Sequence, residues 1–427
     1  MMDGPDKKIS RRQFVGIAAA AAAAPYVLTS SALGKRELPP ASDRITVGII
    51  GCGRNGQRWV ESYNRQRKFQ FTSLCDVDSQ RTDRLRARIE RREKGTRVVV
   101  DFREVLANKG VDAVVIATPD HWHAVIACAA ARANKDIYCE SPISLTVREA
   151  RQIQRVSSRY GRVFQGALGH RYYSNYRRAW GLIRGGALGK VHKVYASCGS
   201  PSQYCTLGAT SAKCPNTLNW DLWQGPAAEA PYNPNRCSSN YNGWRAFREY
   251  SGGPLAYTGA STFDIIQWAL GKDDTGPVEF IPPKRDGDKM IPLTMRYADG
   301  TTVIGERGPH KGSIEFVGDN GTLALGVGQD GFTTWPASLA GGPMPVGTGR
   351  RKFSADPVAD FGDCVKTRKK PIADAESACR SVTIAHLACI AFWAGKTIRW
   401  DPAAENIIND DLATRWLDRP KRSPWRC

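Results

Sequence analysis

The sequence predicts a doubly wound parallel α/β domain, followed by an α+β domain with a mostly antiparallel sheet. Three features of the chain support this prediction. Up to about residue 166, short apolar runs alternate with helical patterns, as in βαβ units. After about residue 170, turns such as Asn320-Gly321 separate strand-like segments, as in antiparallel hairpins. A length of 427 residues also favours two or three domains.

We predict that the first domain spans residues 43–167 and the second spans 168–427. The strands predicted for the first domain are 45–50, 70–76, 97–100, 111–117, 136–140 and 162–166. Right-handed crossovers between them would place a ligand crevice at the carboxyl ends of the strands. In the second domain we predict strands at 191–198, 278–282, 290–297, 302–307, 313–317 and 322–326, and helices at 173–185, 259–270, 356–368 and 374–394.

Residues 1–34 have the pattern of a twin-arginine export signal. Arg11 and Arg12 precede an alanine-rich run that is too short to span a bilayer, and small residues follow near Ser30. A buried alanine helix is the alternative, but Pro25 interrupts it. We therefore expect an exported, periplasmic or extracytoplasmic protein, with no membrane span after the signal is removed.

The net charge of +20 raises the question of an acidic partner. Nucleic-acid binding would require Lys and Arg clustered on one element with interleaved aromatic residues. Here the basic residues are scattered, and the densest run, 81–97, is typical of the solvated face of a helix. We expect no nucleic-acid partner; a basic surface suits acidic sugars or an anionic envelope.

Four of the twelve cysteines lie in a stretch rich in Pro, Ser, Asn and Gly. In an exported protein such cysteines favour disulfides, so we predict one or two bridges there, although the sequence cannot choose among the three pairings. A zinc site is the alternative, but no CxxC pair and no nearby histidine supports it, and we expect no metal. These cysteines are Cys198, Cys205, Cys214 and Cys237.

The turn after the first strand has the GxGxxG pattern of a dinucleotide site. It lies between a predicted strand and a predicted helix, which is the context that gives the pattern meaning. The glycines permit a tight turn, close approach of a pyrophosphate and close packing of helix on strand, and the helix N-terminus attracts phosphate. The cofactor-binding residues predicted here are Gly51, Gly53, Arg54, Asn55 and Gly56.

Asp76 ends the second predicted strand, about 25 residues after the turn. A carboxylate at this place accepts hydrogen bonds from the ribose hydroxyls of the adenosine and repels a 2′-phosphate. NAD is therefore favoured as the cofactor. Arg81 and Arg84 keep NADP as the less favoured alternative.

Two further strand ends complete the predicted cofactor site. The fourth ends in Thr118-Pro119-Asp120-His121-Trp122-His123, and we expect Thr118, Pro119, His121 and His123 to line the nicotinamide side. The alternative is that Asp120 only caps the next helix. Glu140 follows the fifth strand at the same edge of the sheet.

Together these residues resemble the Gfo/Idh/MocA family, named for glucose–fructose oxidoreductase and inositol dehydrogenase. The resemblance extends beyond the first domain through Trp220-Asp221-Leu222-Trp223, Gly252-Gly253 and 264–271. It implies a Rossmann domain, a sheet domain over the nicotinamide, a sugar or polyol substrate and usually a homo-oligomer. A related branch of the family cleaves glycosidic bonds by transient NAD-dependent oxidation.

The resemblance also identifies three substitutions. Family members have Glu-Lys-Pro where this chain has Glu140-Ser141-Pro142, and an Asp and a His where it has Tyr257 and Ser261. Those family residues handle the proton while hydride leaves the substrate, and positioned acid–base catalysis contributes roughly 10²–10⁴-fold in rate. The acid–base set is thus predicted to be altered or lost.

Two residues are weak candidates for a replacement base: His170, which follows the sixth strand, and Tyr257. A loop histidine making a structural hydrogen bond is the alternative for His170. The predicted substrate pocket consists of Ser141, His170, Arg171, Tyr257 and Ser261. Three functions remain open at this point: an oxidoreductase with an altered site, a non-catalytic NAD-binding protein and an NAD-dependent glycosidase.

Overall fold

The computed structural model describes residues 40, 43–63, 68–91, 95–208, 212–240, 242–326, 331–343 and 355–427. It separates into two units, Met1–Arg44 and Ile45–Cys427, and the fold below is that of the second unit. The predicted export signal, residues 1–34, lies outside the described residues.

The described part of the first domain forms a six-stranded parallel sheet of order β3-β2-β1-β4-β5-β6, which confirms the doubly wound prediction. Strands such as β4 are apolar throughout because helices cover both faces of the sheet. The strands are β1 (Ile45–Ile50), β2 (Phe69–Cys75), β3 (Arg97–Val99), β4 (Ala113–Ile116), β5 (Asp136–Cys139) and β6 (Phe164–Gly166). The helices are α1 (Arg54–Tyr63), α2 (Ser79–Ile89), α3 (Phe102–Ala107), α4 (Asp120–Arg132) and α5 (Val147–Arg159).

The second domain contains a mixed, mostly antiparallel sheet of order β15-β14-β13-β7-β12-β11-β8-β16-β17. Within this sheet β7 and β12 pair in parallel. The strands are β7 (Val191–Ala196), β8 (Glu279–Ile281), β11 (Thr294–Arg296), β12 (Thr302–Ile304), β13 (Ile314–Gly318), β14 (Gly321–Leu325), β15 (Phe332–Trp335), β16 (Ile398–Asp401) and β17 (Asn406–Ile407). A separate hairpin joins β9 (Lys284–Asp286) to β10 (Lys289–Ile291).

One predicted strand is wrong in its extent. The stretch 290–297 is divided between β10 and β11. Pro292 lies between the two strands, and proline has no N–H to donate to a continuous ladder. Pro292 therefore accounts for the interruption.

Several described helices of the second domain pack against its sheet, and the helix Ala375–Ala394 also packs against the first domain. The described helices of this domain are α6 (Ser174–Arg184), α7 (Trp220–Gln224), α8 (Pro234–Cys237), α9 (Gly253–Leu270), α10 (Pro357–Thr367), α11 (Ala375–Ala394) and α12 (Asp411–Thr414). Helix α9 begins at Gly253 rather than at the predicted Gly259, because Pro254 is tolerated in its first turn. Among the described helices, α11 alone is long and apolar enough to cross a membrane, and most of it is buried in the protein.

The core of the first domain is completed by residues from the far end of the chain. Ala378 and Val382 of α11 and the ring of Trp425 belong to the same buried cluster as Val114 and Ile116 of the parallel sheet. The boundary predicted at 167/168 therefore separates two segments of sequence that share one hydrophobic core.

The predicted disulfides are not present, since none of the four cysteines in this stretch is bridged in the structure. Cys198 is buried in the core of the second domain, just after β7. Cys205, Cys214 and Cys237 are half-buried in the irregular stretch that follows. Local composition alone could not show that the first of these cysteines belongs to the core.

Candidate functional site

The glycine turn joins β1 to α1, and two of its glycines are fixed by backbone geometry. Gly51 has φ +97°, and a Cβ there would lie 2.5 Å from the carbonyl carbon of Ala117. A Cβ on Gly56 would lie 2.2 Å from the oxygen of Gly51. Gly53 has more room, with only the guanidinium of Arg81 near it, at 3.5 Å. The turn is thus built for close packing at two glycines and is open to a ligand at the third.

Asp76 follows β2, and the backbone of the turn holds its carboxylate in place. Cys52 N donates to Oδ2 at 2.8 Å, and Asp78 N donates to Oδ1 at 3.0 Å. Burial raises the pKa of this carboxyl, opposed by the charge of Arg81. Each oxygen keeps a second lone pair, so the group can accept hydrogen bonds from a vicinal diol.

A first cavity lies beside Asp76. Its walls are mainly apolar, and Leu222 and Trp223 of the second domain contribute to them. Such a cavity, with a fixed carboxylate at one edge, fits the adenosine half of NAD. The predicted residues that line it are Gly51, Gly53, Asp76, Thr118 and Pro119.

A second cavity shares Gly53, Thr118 and Pro119 with the first. It lies between the domains, because Ser239, Trp244, Arg245 and Tyr257 of the second domain line it as well. This is the place for the nicotinamide half of NAD and a substrate. The other predicted residues that it brings together are Arg54, Asn55, His123, Glu140 and Ser141.

Asp120 lines the second cavity with a carboxyl group that did not stand out in the sequence. It is 3% exposed, and Ser251 Oγ donates to its Oδ2 at 2.7 Å. Burial raises the pKa of Asp120 to about 7, although the hydrogen bond from Ser251 and the charge of Arg245 oppose the rise. Asp120 is the first residue of α4, and the N-cap position is Pro119. Because Ser251 of the second domain donates to the Asp120 carboxylate, a helix cap alone does not describe this side chain.

Glu140 contributes a second carboxyl group with altered titration to the same cavity. Burial raises its pKa to about 7, opposed by the charge of Arg58. Asn55 Nδ2 donates to Glu140 Oε2 at 3.3 Å. The partners of Glu140 thus belong to the glycine turn and α1, whereas Ser251 and Arg245, the partners of Asp120, belong to the second domain. A carboxyl group with a pKa near 7 can both accept and donate a proton at neutral pH.

The remaining wall of the second cavity offers hydroxyl groups and a cation. Ser141 Oγ is buried and has no hydrogen-bond partner among the described residues. Tyr257 is 44% exposed. The guanidinium of Arg245 lies over the rings of Trp244 and Tyr257, at 4.3 and 5.5 Å from their centroids. These groups can donate to the oxygens of a polyhydroxylated or acidic ligand.

His123 ties together the two strand ends that form the floor of this cavity. Its Nε2 lies 2.8 Å from the carbonyl oxygen of Thr118, and its Nδ1 lies 2.8 Å from that of Pro142. Burial lowers the pKa of His123, and both carbonyl partners oppose that change. Both ring nitrogens are engaged with the backbone, so the residue positions the floor of the cavity.

Several predicted site residues line neither cavity, and His121 and Arg171 are two of them. His121 is buried, its Nε2 is 3.0 Å from the oxygen of Trp223, and burial lowers its pKa to about 3. Arg171 is also buried and donates to both oxygens of Asp264 at 2.7–3.0 Å and to Asp273 at 2.8 Å. The side chain of Arg171 is occupied by this ion pair and does not face a ligand.

His170 and Ser261 are neighbours but do not line the second cavity. The His170 ring stacks on Tyr176, with centroids 4.8 Å apart, and contacts the backbone of Ser261. Burial lowers the pKa of His170, opposed by the charge of Asp264. His170 is therefore a loop histidine with a structural role, which was the alternative to a replacement base.

Comparison with known proteins agrees with the fold and the cofactor site. Residues 45–167 match the NAD-binding Rossmann fold of the GFO_IDH_MocA oxidoreductase family, and residues 182–427 match the C-terminal alpha/beta domain of that family. Aldose-aldose oxidoreductase from Caulobacter crescentus has a similar fold, with TM-score 0.57 and 17% identity over 83% of this chain and 99% of that chain. The WlbA dehydrogenase from Bordetella pertussis, solved with NADH and UDP-GlcNAcA, gives TM-score 0.59 and 16% identity over 84% and 98%.

Curated relatives match over shorter segments. A glycosyl hydrolase family 109 protein from Shewanella sp. W3-18-1 is 30% identical over 127 residues, which is 29% of this chain and 28% of the relative. The uncharacterized oxidoreductase YrbE from Bacillus subtilis is 24% identical over 158 residues, 37% of this chain and 45% of the relative. The matched segments thus span less than half of either relative. Both domain matches together show that the chain belongs to the Gfo/Idh/MocA oxidoreductase family and contains an NAD-binding Rossmann domain.

Proposed function

We propose that the protein is an NAD-dependent oxidoreductase of a sugar, polyol or sugar derivative, in which Asp120 exchanges the substrate proton. The observation that carries this proposal is a buried carboxyl group with a pKa of about 7 in the cavity between the domains. Asp120 then performs the proton transfer for which other family members use a Lys, an Asp and a His. This chain has Ser141, Tyr257 and Ser261 at those three positions.

Oxidation of an alcohol to a carbonyl requires that the hydroxyl proton leave while the C–H bond breaks. Bound NAD supplies the acceptor for the hydride. At neutral pH about half of the Asp120 groups are ionised, so the residue is available as a base for oxidation and as an acid for the reverse reaction. Glu140 has a similar pKa, but its partners Asn55 and Arg58 favour a role on the cofactor side.

The substrate class rests on the wall of the second cavity. Ser141, Tyr257 and Arg245 provide hydrogen-bond donors for several oxygens, which suits a polyhydroxylated ligand. A uronic or aldonic acid would in addition find a cation in Arg245. The sugar-directed names of the structural neighbours support the same class.

Glycoside cleavage through transient oxidation is a second candidate. The glycosyl hydrolase family 109 relatives favour it, and one relative carries the name alpha-N-acetylgalactosaminidase. The two candidates differ in their products: the first accumulates NADH, whereas the second releases a free sugar with no net change in NAD. A chromogenic α-N-acetylgalactosaminide therefore separates them.

The test combines titration with turnover. We expect calorimetry to show binding of NAD in preference to NADP, and a panel of sugars, polyols and sugar acids to contain a substrate that yields NADH. The Asp120→Asn variant should lower kcat about 10²–10⁴-fold while NAD affinity stays unchanged. Undiminished turnover in Asp120→Asn would overturn the assignment. NAD binding with no turnover on any ligand would favour the non-catalytic alternative.

We further propose export by the twin-arginine route through residues 1–34, and assembly into a homo-oligomer. Replacing Arg11 and Arg12 by Lys should retain the protein inside the cell, as measured by fractionation. Light scattering of the purified protein measures the oligomer directly, and a monomeric mass would contradict that part of the proposal.

A further inference from the structure

Residues 418–427, which we call the C-terminal strap, pack against the first domain and against the segment that contains α7. Arg419 Nη2 donates to the oxygen of His121 at 2.8 Å. Arg422 Nε donates to the oxygen of Gly225 at 2.9 Å, and its Nη1 pairs with Asp221 at 2.6 Å. Hydrogen bonds from Arg419 and Arg422 and the ion pair of Arg422 therefore hold the strap in place.

The strap also supports the wall of the first cavity. Trp425 is 6% exposed, and its ring lies 4.7 Å from that of Trp122 and 6.1 Å from that of Phe102, centroid to centroid. Trp122 and Phe102 both line the first cavity. Displacement of the strap would remove the packing behind the place where the adenosine half of NAD fits.

A pair of thiols lies at the end of the strap. The thiol of Cys128, on the α4 helix whose first residue is Asp120, acts on the thiol of Cys427 and raises its pKa. Cys128 is fully buried, and Cys427 is half-buried and packs against the same core cluster. The partner on the strap is thus the one that solvent can reach.

We propose that Cys128 and Cys427 form an intramolecular disulfide that fixes the C-terminal strap to the first domain. The oxidant is a disulfide of the exported compartment. Cys427 first exchanges with it, forming a mixed disulfide and releasing one thiol. The Cys128 sulfur then displaces the second thiol from Cys427, so that two protein thiols become one disulfide and the oxidant becomes two thiols. The inference depends on the proposed export only for its oxidising compartment, and not on the proposed reaction.

The test uses the purified full chain and glutathione disulfide as the oxidant, so it is independent of export and of turnover. After alkylation of the remaining thiols and digestion without reductant, mass spectrometry should find a peptide that joins Cys128 to Cys427. The oxidised protein should melt a few degrees above the reduced protein, because the bridge closes a long loop. Cys427→Ser should abolish both effects, while the matched control Cys205→Ser, at another half-buried cysteine, should keep them.

The outcomes are distinct. A Cys128–Cys427 peptide that disappears in Cys427→Ser supports the proposal. Cys427 carrying only glutathione, Cys427 bridged to a different cysteine, or complete alkylation of both thiols would each overturn it. Because Cys427→Ser changes a single sulfur at the end of the strap, the variant is expected to fold, and limited proteolysis of the reduced proteins checks that it does.

Discussion

The raised pKa of Asp120 predicts a specific dependence of stability on pH, which Asp120→Asn should remove. In the folded protein burial raises the pKa of this carboxyl from 3.8 to about 7. Its protonated form is therefore favoured by folding. The resulting stability is present below pH ~4, where the carboxyl is protonated in both states, and is lost as the pH rises through about 7.

The magnitude follows from this pKa. One pKa unit corresponds to about 1.4 kcal/mol, so the fully ionised group costs on the order of 4 kcal/mol of folding free energy at pH 8. At pH 5 only the unfolded chain is ionised, and the cost is about 2 kcal/mol. Between pH 5 and pH 8 the wild-type protein should therefore lose roughly 2–3 kcal/mol more than Asp120→Asn. Asn keeps a carbonyl that can accept the hydrogen bond from Ser251.

Urea unfolding, followed by tryptophan fluorescence at several pH values, measures this difference. Glu140 contributes equally to both proteins and cancels in the comparison. The matched control is Ser251→Ala: it removes a hydrogen bond that lowers the pKa of Asp120, so it should move the loss of stability to higher pH. If wild type and Asp120→Asn lose stability in parallel from pH 5 to pH 8, Asp120 titrates as an ordinary carboxyl group and the proposed base loses its support.

Three further substitutions test other parts of the structure. Gly56→Ala should abolish NAD binding in calorimetry, because its Cβ would lie 2.2 Å from the oxygen of Gly51; unchanged affinity would contradict the tight turn. Asp76→Ala should weaken NAD binding roughly ten- to hundredfold through lost hydrogen bonds to a charged group, and should affect NADP less. Arg171→Met should destabilise the protein by about 3–5 kcal/mol in denaturant unfolding, since Asp264 is left buried and unpaired; a near-neutral effect would show that the ion pair is not needed.

The parallel sheet and the glycine turn could be predicted because their signals are local. The run of β1, the turn from Gly51 to Gly56 and Asp76 lie within one βαβ unit, and each residue type has its reason within that unit. The second domain was predictable as a class of fold. The structure places its edge strands, β15 and β17, where short segments gave too little pattern to identify.

The proton-handling group could not be predicted because its chemistry depends on distant residues. Asp120 looked like the start of a helix, and its altered pKa comes from burial by a second domain that supplies Ser251, 131 residues away. The prediction that Arg171 lines the substrate pocket was wrong for the same reason. Its position after His170 was visible, but its neutralisation by Asp264 and Asp273 required the folded chain.

The shared core has a consequence for how the protein is made. The nucleotide-binding segment is synthesised before the residues that complete its core. These residues, Ala378, Val382 and Trp425, follow more than two hundred residues later in the chain. Until then, the faces of the parallel sheet and α4 that these residues cover remain open to water. The first domain therefore reaches its final packing only after Trp425 has been synthesised, and a fragment that stops at residue 167 would expose an apolar surface rather than form an independent NAD-binding module.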